Sequence, residues 1–236
     1  MLTKQGDREI NEDSAVIAER DNNYCFVVAD GLGGHSRGEA ASQMVTAVFE
    51  REFTSTETSA SGFLSSTFNS AQNAVMALQK TEQAQRGMKT TAAALAIIEG
   101  KCAWGHIGDS RLYVFKNGRV KSRTLDHSVP QMLALSGEIS EKKIRRHPDR
   151  NKLLRVIGIE WDSQQFEVSD EYEVSECQAF LLCSDGFWEF IREKHMCRYL
   201  KKSNNAGEWL RLMTEEVERN GAERNMDNYS AITVIL

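Results

Sequence analysis

Only 2 prolines interrupt the 236 residues, so long proline-stiffened linkers are excluded. Positive charge is not in excess either. The 29 lysines and arginines face 34 aspartates and glutamates, for a formal net charge of -5. That balance supplies no broad basic field and argues against a nucleic-acid partner. No apolar run is long enough to span a bilayer, and the opening MLTKQGDREINEDS has no signal-peptide core. The five cysteines, Cys25, Cys102, Cys177, Cys183 and Cys197, form no Cys-x-x-Cys pair and no zinc spacing. Most lie in apolar strand-like runs, where a free cysteine behaves as a small hydrophobe. The expectation is a cytoplasmic protein with reduced cysteines and no membrane partner. With no exposed apolar stripe or heptad in the pattern, a monomer is expected.

What is present is ordinary for a globular chain: 41% hydrophobic and 27% charged residues, enough for one domain over 1–236. Three apolar strand-like segments end in an acid and a small residue: FVVADG, WGHIGDS and FLLCSDG. A fourth, DNYSAITVIL, places the acid before the strand. TAAALAII and KCAWGHI also read as strands. RLYVFKNGRVKS predicts a hairpin turning at Asn117-Gly118, and AIIEGKCAW another near Gly100. Helical periodicity covers Arg37 to Phe53, Phe63 to about Gln83, and the stretch NNAGEWLRLMTEEVERNG. Ser36 and Glu39 fit a capping box for the first, and Gly221 closes the third. Shorter helices are expected after Asp126 and near Lys143 and Glu193. Hairpins imply antiparallel sheets whose outer faces need helices. The expected fold class is therefore α+β, two sheets packed together with helices outside. The irregular, basic stretch 131–158 reads as a flap over a site, or as a solvated charged face.

A lone Asp-Gly is ordinarily a turn. Here Asp30, Asp109 and Asp185 close apolar strands and Asp227 opens one. If those ends converge, the carboxylates repel one another unless a cation neutralises them. Hard oxygen donors favour Mg²⁺ or Mn²⁺ over zinc. Gly31 would let a main-chain carbonyl come close to such an ion. The segment GDREINEDS is either a solvated arm or a functional one. In the second reading Arg8 is a phosphate fork, and Glu12 and Asp13 join the acidic cluster.

The ordered set RxxNED (Arg8 to Asp13), DGLGGH (Asp30 to His35), TTAA (Thr90 to Ala93), GDSR (Gly108 to Arg111), DHS (Asp126 to Ser128), SDG (Ser184 to Gly186) and DN (Asp227-Asn228) resembles the metal-dependent protein phosphatases of type 2C, the PPM family, in its compact bacterial form. The resemblance covers about Lys4 to Leu236. It implies a central sandwich of two antiparallel sheets flanked by helices on both outer faces. It also implies a centre of two Mn²⁺ or Mg²⁺ ions, with a third, weaker one. Asp30 matches the bridging ligand, with the Gly31 carbonyl on one ion. Asp185 and Asp227 match ligands of the other. Asp13 and Glu12 match acids that hold metal-bound water, and Asp109 a ligand of the third ion with Asp185. Arg8 matches the phosphate-gripping arginine. Asn228, Gly186 and His35 match supporting neighbours.

One position departs from many eukaryotic members: Leu32 stands where they carry a histidine thought to act as general acid. His35 comes later and is read as structural or catalytic; His106 and His127 as structural. The resemblance implies hydrolysis of phosphoserine and phosphothreonine in proteins by a metal-activated water, without a phospho-enzyme. The substrates would be those of a cognate Ser/Thr kinase. A catalytically weak phosphoprotein-binding pseudophosphatase is the alternative, and intact Asp30, Asp185 and Asp227 speak against it. A stress-switch phosphatase would ordinarily bring sensor domains, and a metal nuclease a basic-aromatic strip.

Overall fold

A computed structural model describes residues 1–33, 37–55, 58–81 and 87–236. The chain begins with β1 (Leu2–Lys4), β2 (Asp13–Arg20), β3 (Asn23–Leu32), α1 (Arg37–Phe53) and α2 (Ala60–Thr81). It continues through β4 (Lys89–Thr90), β5 (Ala92–Ile98), β6 (Lys101–Ile107), β7 (Arg111–Lys116), β8 (Arg119–Arg123) and α3 (Val129–Leu135). Then follow β9 (Glu167–Val168), β10 (Tyr172–Glu173), β11 (Ala179–Cys183), α4 (Asp185–Trp188), α5 (Glu193–Leu200), α6 (Ala206–Gly221) and β12 (Tyr229–Ile235). One sheet runs β1-β12-β11-β7-β8; the other runs β10-β6-β5-β3-β2, with β4 on β3 and β9 on β6. Every strand pair is antiparallel.

The layers follow from side-chain alternation along the strands. On β3, Cys25, Val27 and Ala29 pack with α1 and α2 residues such as Val45, Phe49 and Phe68. Phe26 and Val28 face the other way, onto Leu112, Val114, Phe180, Leu182 and Ile232 of the second sheet. That sheet presents Tyr113, Leu181, Cys183 and Ala231 to α5 and α6, where Trp209 and Met213 lie. The expected α+β sandwich, helices outside on both faces, is the observed one.

The turn chemistry is as read at two hairpins. Asn117-Gly118 and Glu99-Gly100 both take positive φ at their central residues, as a type I′ turn requires. A third such turn, Asp21-Asn22 between β2 and β3, escaped the sequence reading because it carries no glycine. Helix α2 starts three residues earlier than its periodicity indicated, at Ala60. Ser36 and Gln83 lie outside the described residues. Gly221 does not close α6 in the left-handed region. It is the last helical residue, buried where a Cβ would meet Met226 Sδ at 2.1 Å. The cap at the other end is real: Asn205 accepts from Glu208 N at 2.9 Å. All five cysteines are free; Cys25, Cys102 and Cys183 are buried and Cys177 and Cys197 half-buried.

The basic stretch is tied down rather than loose. Ile144 and Ile157 are buried, and Thr90 and Ile157 exchange backbone hydrogen bonds of 3.1 and 2.9 Å. Arg145 pairs with Glu193, and Arg150 with Glu189 at 3.1 Å. Under its start lies a buried pair: Arg111 donates to both Asp126 oxygens, at 2.8 and 2.6 Å, and stacks 3.6 Å over Trp188. Removing one partner strands the other charge without water. Asp126→Ala is therefore expected to cost about 3–5 kcal/mol in urea denaturation, with Arg111→Met/Asp126→Leu recovering most of it. A single-variant loss below about 1 kcal/mol would mean the pair is not structural.

Candidate active site

Strand parity carries the acids to one end of the sandwich. Asp30 shares the inter-sheet face of β3 with Phe26 and Val28, but lies past the apolar core. Asp13 opens β2 opposite it, in direct register. Asp109 follows β6 by two residues and is 5% exposed, its carbonyl accepting from Trp188 Nε1 at 2.9 Å. Asp185 begins α4 immediately after β11, so it is a helix-start residue rather than a strand end. Asp227 precedes β12. A cleft of about 650 Å³ collects Arg8, Glu12, Asp30, Gly31, Asp109, Asp185, Asp227 and Asn228. Asp7 and Glu9 also line it, so seven carboxylates face one arginine. His35 lies outside the described residues.

The arm is not a solvated tail. Asp7 N donates to Met226 O at 2.9 Å, and Met226 N returns a bond to Asp7 Oδ2 at 2.8 Å. Asn228 holds it from the other side. Its Nδ2 donates to Gln5 O and Ile10 O, at 2.7 and 2.9 Å, and its Oδ1 accepts from Glu12 N at 2.8 Å. Arg8 forks onto Asp227 with bonds of 2.9 and 2.7 Å, and both side chains remain more than a third exposed. Two glycines let the backbones meet. A Cβ on Gly31 would lie 2.3 Å from Gly38 O and 2.5 Å from Glu12 O; on Gly186, 2.2 Å from Asn228 O.

The electrostatics report the convergence. Burial, then the charges of Asp13, Asp185, Asp109 and Asp227, hold the Asp30 carboxyl well above its ordinary range. Burial, then Asp185, does the same to Asp109. Burial lifts Asp13 to about 7 despite a 2.7 Å bond from Ser184 Oγ. Burial, with Asp227 next, lifts Asp185 to about 6. Glu12 is also raised, mainly by burial and against a bond from Gly38 N. Asp13 Oδ1 is buried with no hydrogen-bond partner. An orphaned buried oxygen amid acids that resist ionising has the chemistry of a cation-binding donor set, and all-oxygen donors suit a hard divalent ion. The residues therefore fit the metal centre that the motifs imply.

A second donor cluster does not fit a cation. His106, His127 and Glu167 bring one ligand atom each within 4.8 Å, with the imidazoles stacked 4.5 Å apart. His127 Nδ1 accepts from Gly108 N at 3.2 Å, leaving Nε2 to donate to Glu167 at 3.3 Å. A cation on Nε2 would move the proton to Nδ1, against the Gly108 N–H. His106 donates Nε2–H to Leu125 O at 2.7 Å. Burial first, then His106, lowers His127 to about 4, and burial also lowers His106. Both are neutral structural groups, as expected.

Sequence reasoning missed Ser184, Trp188, Asn151 and Leu153. Ser184 sits inside the SDG motif, so its place was in view. The other three become visible only once α4 and the basic stretch are folded against the cleft.

The raised carboxyls set a direction for pH. Asp13 and Asp185 titrate near 7 and 6 in the folded chain against an ordinary 3.8, so folding retains their protons. Their contribution to stability is complete below that ordinary value and is lost as pH rises through the folded ones. Divalent ions compete with the same protons. For EDTA-treated protein, Mn²⁺ is expected to raise Tm clearly more at about pH 8 than at about pH 5, measured by scanning fluorimetry. An equal shift at both pH values would show that the cleft does not load protons in place of metal.

A family model described as protein phosphatase 2C matches residues 4–228. The chain is 30% identical over 235 residues to the serine/threonine phosphatase stp of Listeria monocytogenes serotype 4b, covering 97% of this chain and 90% of that one. The crystal structure of serine/threonine phosphatase Stp1 from Staphylococcus aureus is similar with a TM-score of 0.89 at 25% identity, covering 100% of this chain and 93% of that one. The catalytic domain of the serine/threonine protein phosphatase PstP, solved in complex with 2 manganese ions, is similar with a TM-score of 0.81 at 25% identity, covering 99% and 96%. With sandwich, acidic cleft and near full-length matches agreeing, this chain belongs to the protein phosphatase 2C family.

Proposed function

We infer that the chain is a metal-dependent serine/threonine protein phosphatase, acting as one domain over 1–236 on phosphorylated proteins. The observation that carries this is the single cleft that gathers Asp30, Asp109, Asp185 and Asp227 beside Arg8. Divalent dependence follows from the donor set and the family. We assign two Mn²⁺ or Mg²⁺ ions and a third, weaker one. Asp30, the Gly31 carbonyl, Asp185 and Asp227 would hold the first two. Asp13 and Glu12 would act through water, and Asp109 with Asp185 would take the third. When bound, the ions supply Lewis acidity, offset phosphoryl charge and lower the pKa of water.

The protein's own groups do the rest. Arg8 presents a planar fork whose geometry suits two phosphoryl oxygens as well as the two Asp227 oxygens it now holds. Were Asp227 to hold a cation, the fork would be free for the substrate. Asn228 fixes the arm that carries Arg8 and Glu12, and Gly186 lets α4 bring Asp185 against it. Leu32 lines the cleft and offers no proton to the leaving oxygen. No cysteine lines the cleft among the described residues, in keeping with a path that forms no phospho-enzyme. The substrates are expected to be products of a Ser/Thr kinase in the cytoplasm, met by a monomer with neither nucleic acid nor membrane involved. Among the described residues, no helix is long and apolar enough to cross a membrane.

The test is phosphate release from a phosphothreonine peptide with EDTA, Mg²⁺ or Mn²⁺. Turnover is expected only with metal, and Asp185→Asn is expected to lower it by about 100-fold or more. Binding of the peptide by the wild type without turnover under any ion would move the protein to the pseudophosphatase reading. Arg8→Lys, which keeps the charge and loses the fork, is expected to raise KM about tenfold with a smaller effect on kcat. An unchanged KM would remove Arg8 from substrate binding.

A further inference from the structure

Beside the acidic cleft, a groove of about 1230 Å³ opens between the turn of 3-10 helix at Glu141–Arg146, the start of α5 and the end of α6. Nine lysines and arginines line it against four glutamates, in a chain whose formal net charge is -5. Some of these cations are already engaged: Arg145 with Glu193, and Arg123 with Glu141. Arg146, Arg192 and Lys194 are exposed and carry no ion pair with another described residue. Like charges gathered along one groove repel one another, and an anion lying between them offsets that repulsion.

The groove adjoins the cleft. Arg150 bonds Glu189, which lines the groove, while the next residue, Asn151, lines the cleft. Trp188 joins the two from beneath. Its Nε1 donates to Asp109 O, and its ring lies under Arg111 at 3.6 Å and Arg145 at 5.5 Å. An extended chain with its phosphoryl group in the cleft therefore has the groove beside it.

We propose that this groove binds an acidic segment, rich in Asp, Glu or further phosphorylated residues, of the same protein chain whose phosphoserine or phosphothreonine enters the cleft. This rests on the phosphatase reading and adds to it a substrate class: phosphoproteins with a second anionic cluster near the phosphosite. A peptide suits the groove better than a nucleic acid. Glu141 and Glu193 break the positive field into separate points, where a nucleic-acid backbone asks for a continuous track. Stacking platforms are also scarce: the Trp188 ring is buried beneath Arg111, and only Phe190 and the His195 imidazole offer rings among the residues lining the groove.

The test separates the groove from the chemistry. A fluorescein-labelled peptide with a run of glutamates, and no phosphate, is titrated by anisotropy onto the full chain in EDTA, where turnover plays no part. Saturable binding is expected, weakened at least about fivefold by Arg192→Glu/Lys194→Glu on one wall or Lys142→Glu/Arg146→Glu on the other, and by raising the salt. Lys101→Glu/Lys202→Glu, the same charge change outside the groove, should leave it unaltered. In Mn²⁺, each wall variant should raise KM for a phosphothreonine peptide carrying the glutamate run by a similar factor relative to the same peptide without it. No binding of the glutamate peptide, or equal loss in the Lys101→Glu/Lys202→Glu control, would overturn the proposal while leaving the phosphatase reading intact. So would a single-stranded oligonucleotide that binds the groove while the peptide does not. Absence of turnover on every substrate, with groove binding retained, would instead overturn the phosphatase reading alone.

Discussion

Carboxylates gathered at one end of a protein repel, and the rest of this structure is organised around that repulsion. Burial strengthens it, because each acid loses water that would have screened its neighbours. In the chain alone, the acids offset it with protons: Asp13 and Asp185 titrate near 7 and 6, and Asp30 and Asp109 stay well above the carboxylate range. Ser184 donates to one Asp13 oxygen, Arg8 covers Asp227, and the second Asp13 oxygen is left without any partner. Such an arrangement costs stability by itself, and its all-oxygen donors suit a hard divalent ion.

Geometry alone brings those acids together. The two-residue period of a strand, run from a hydrophobic pair such as Phe26 and Val28, puts Asp30 on the inter-sheet side beyond the last core contact. Register puts Asp13 beside it. Small residues then let the flanking backbones close in, as Gly186 does against the Asn228 carbonyl. The cleft is a continuation of the core, built with the same alternation and a change of side-chain chemistry at the last step.

Much of this was legible in the sequence because it depends on local rules. Alternation marked β3, β5, β6, β7, β11 and β12, and the Asn117-Gly118 turn followed from its two residues. The acids were legible because each lies next to a strand that announces itself. What escaped either carries too weak a local signal or depends on contacts between distant segments. Asp21-Asn22 turns without glycine, and α4 is too short, at four residues, for periodicity to register. Gly221 read as a helix stop, yet it is glycine because Met226 packs against it. The basic stretch read as a charge run; that its arginines share a groove with Arg192, Lys194 and Arg219 required the fold. The charge asymmetry of the molecule, acidic cleft beside basic groove, is likewise invisible to a net charge of -5.

Strand β12 lies inside its sheet, between β1 and β11, and the residues just ahead of it hold Arg8 and the arm. Without β12 and the residues just ahead of it, β1 has no partner and the arm loses its anchor. A chain clipped ahead of Asp227 would therefore be missing one side of the cleft, not merely a tail. Pairing the two ends of the chain also makes its contacts strongly non-local, which slows folding and gives the completed cleft the character of a closing step.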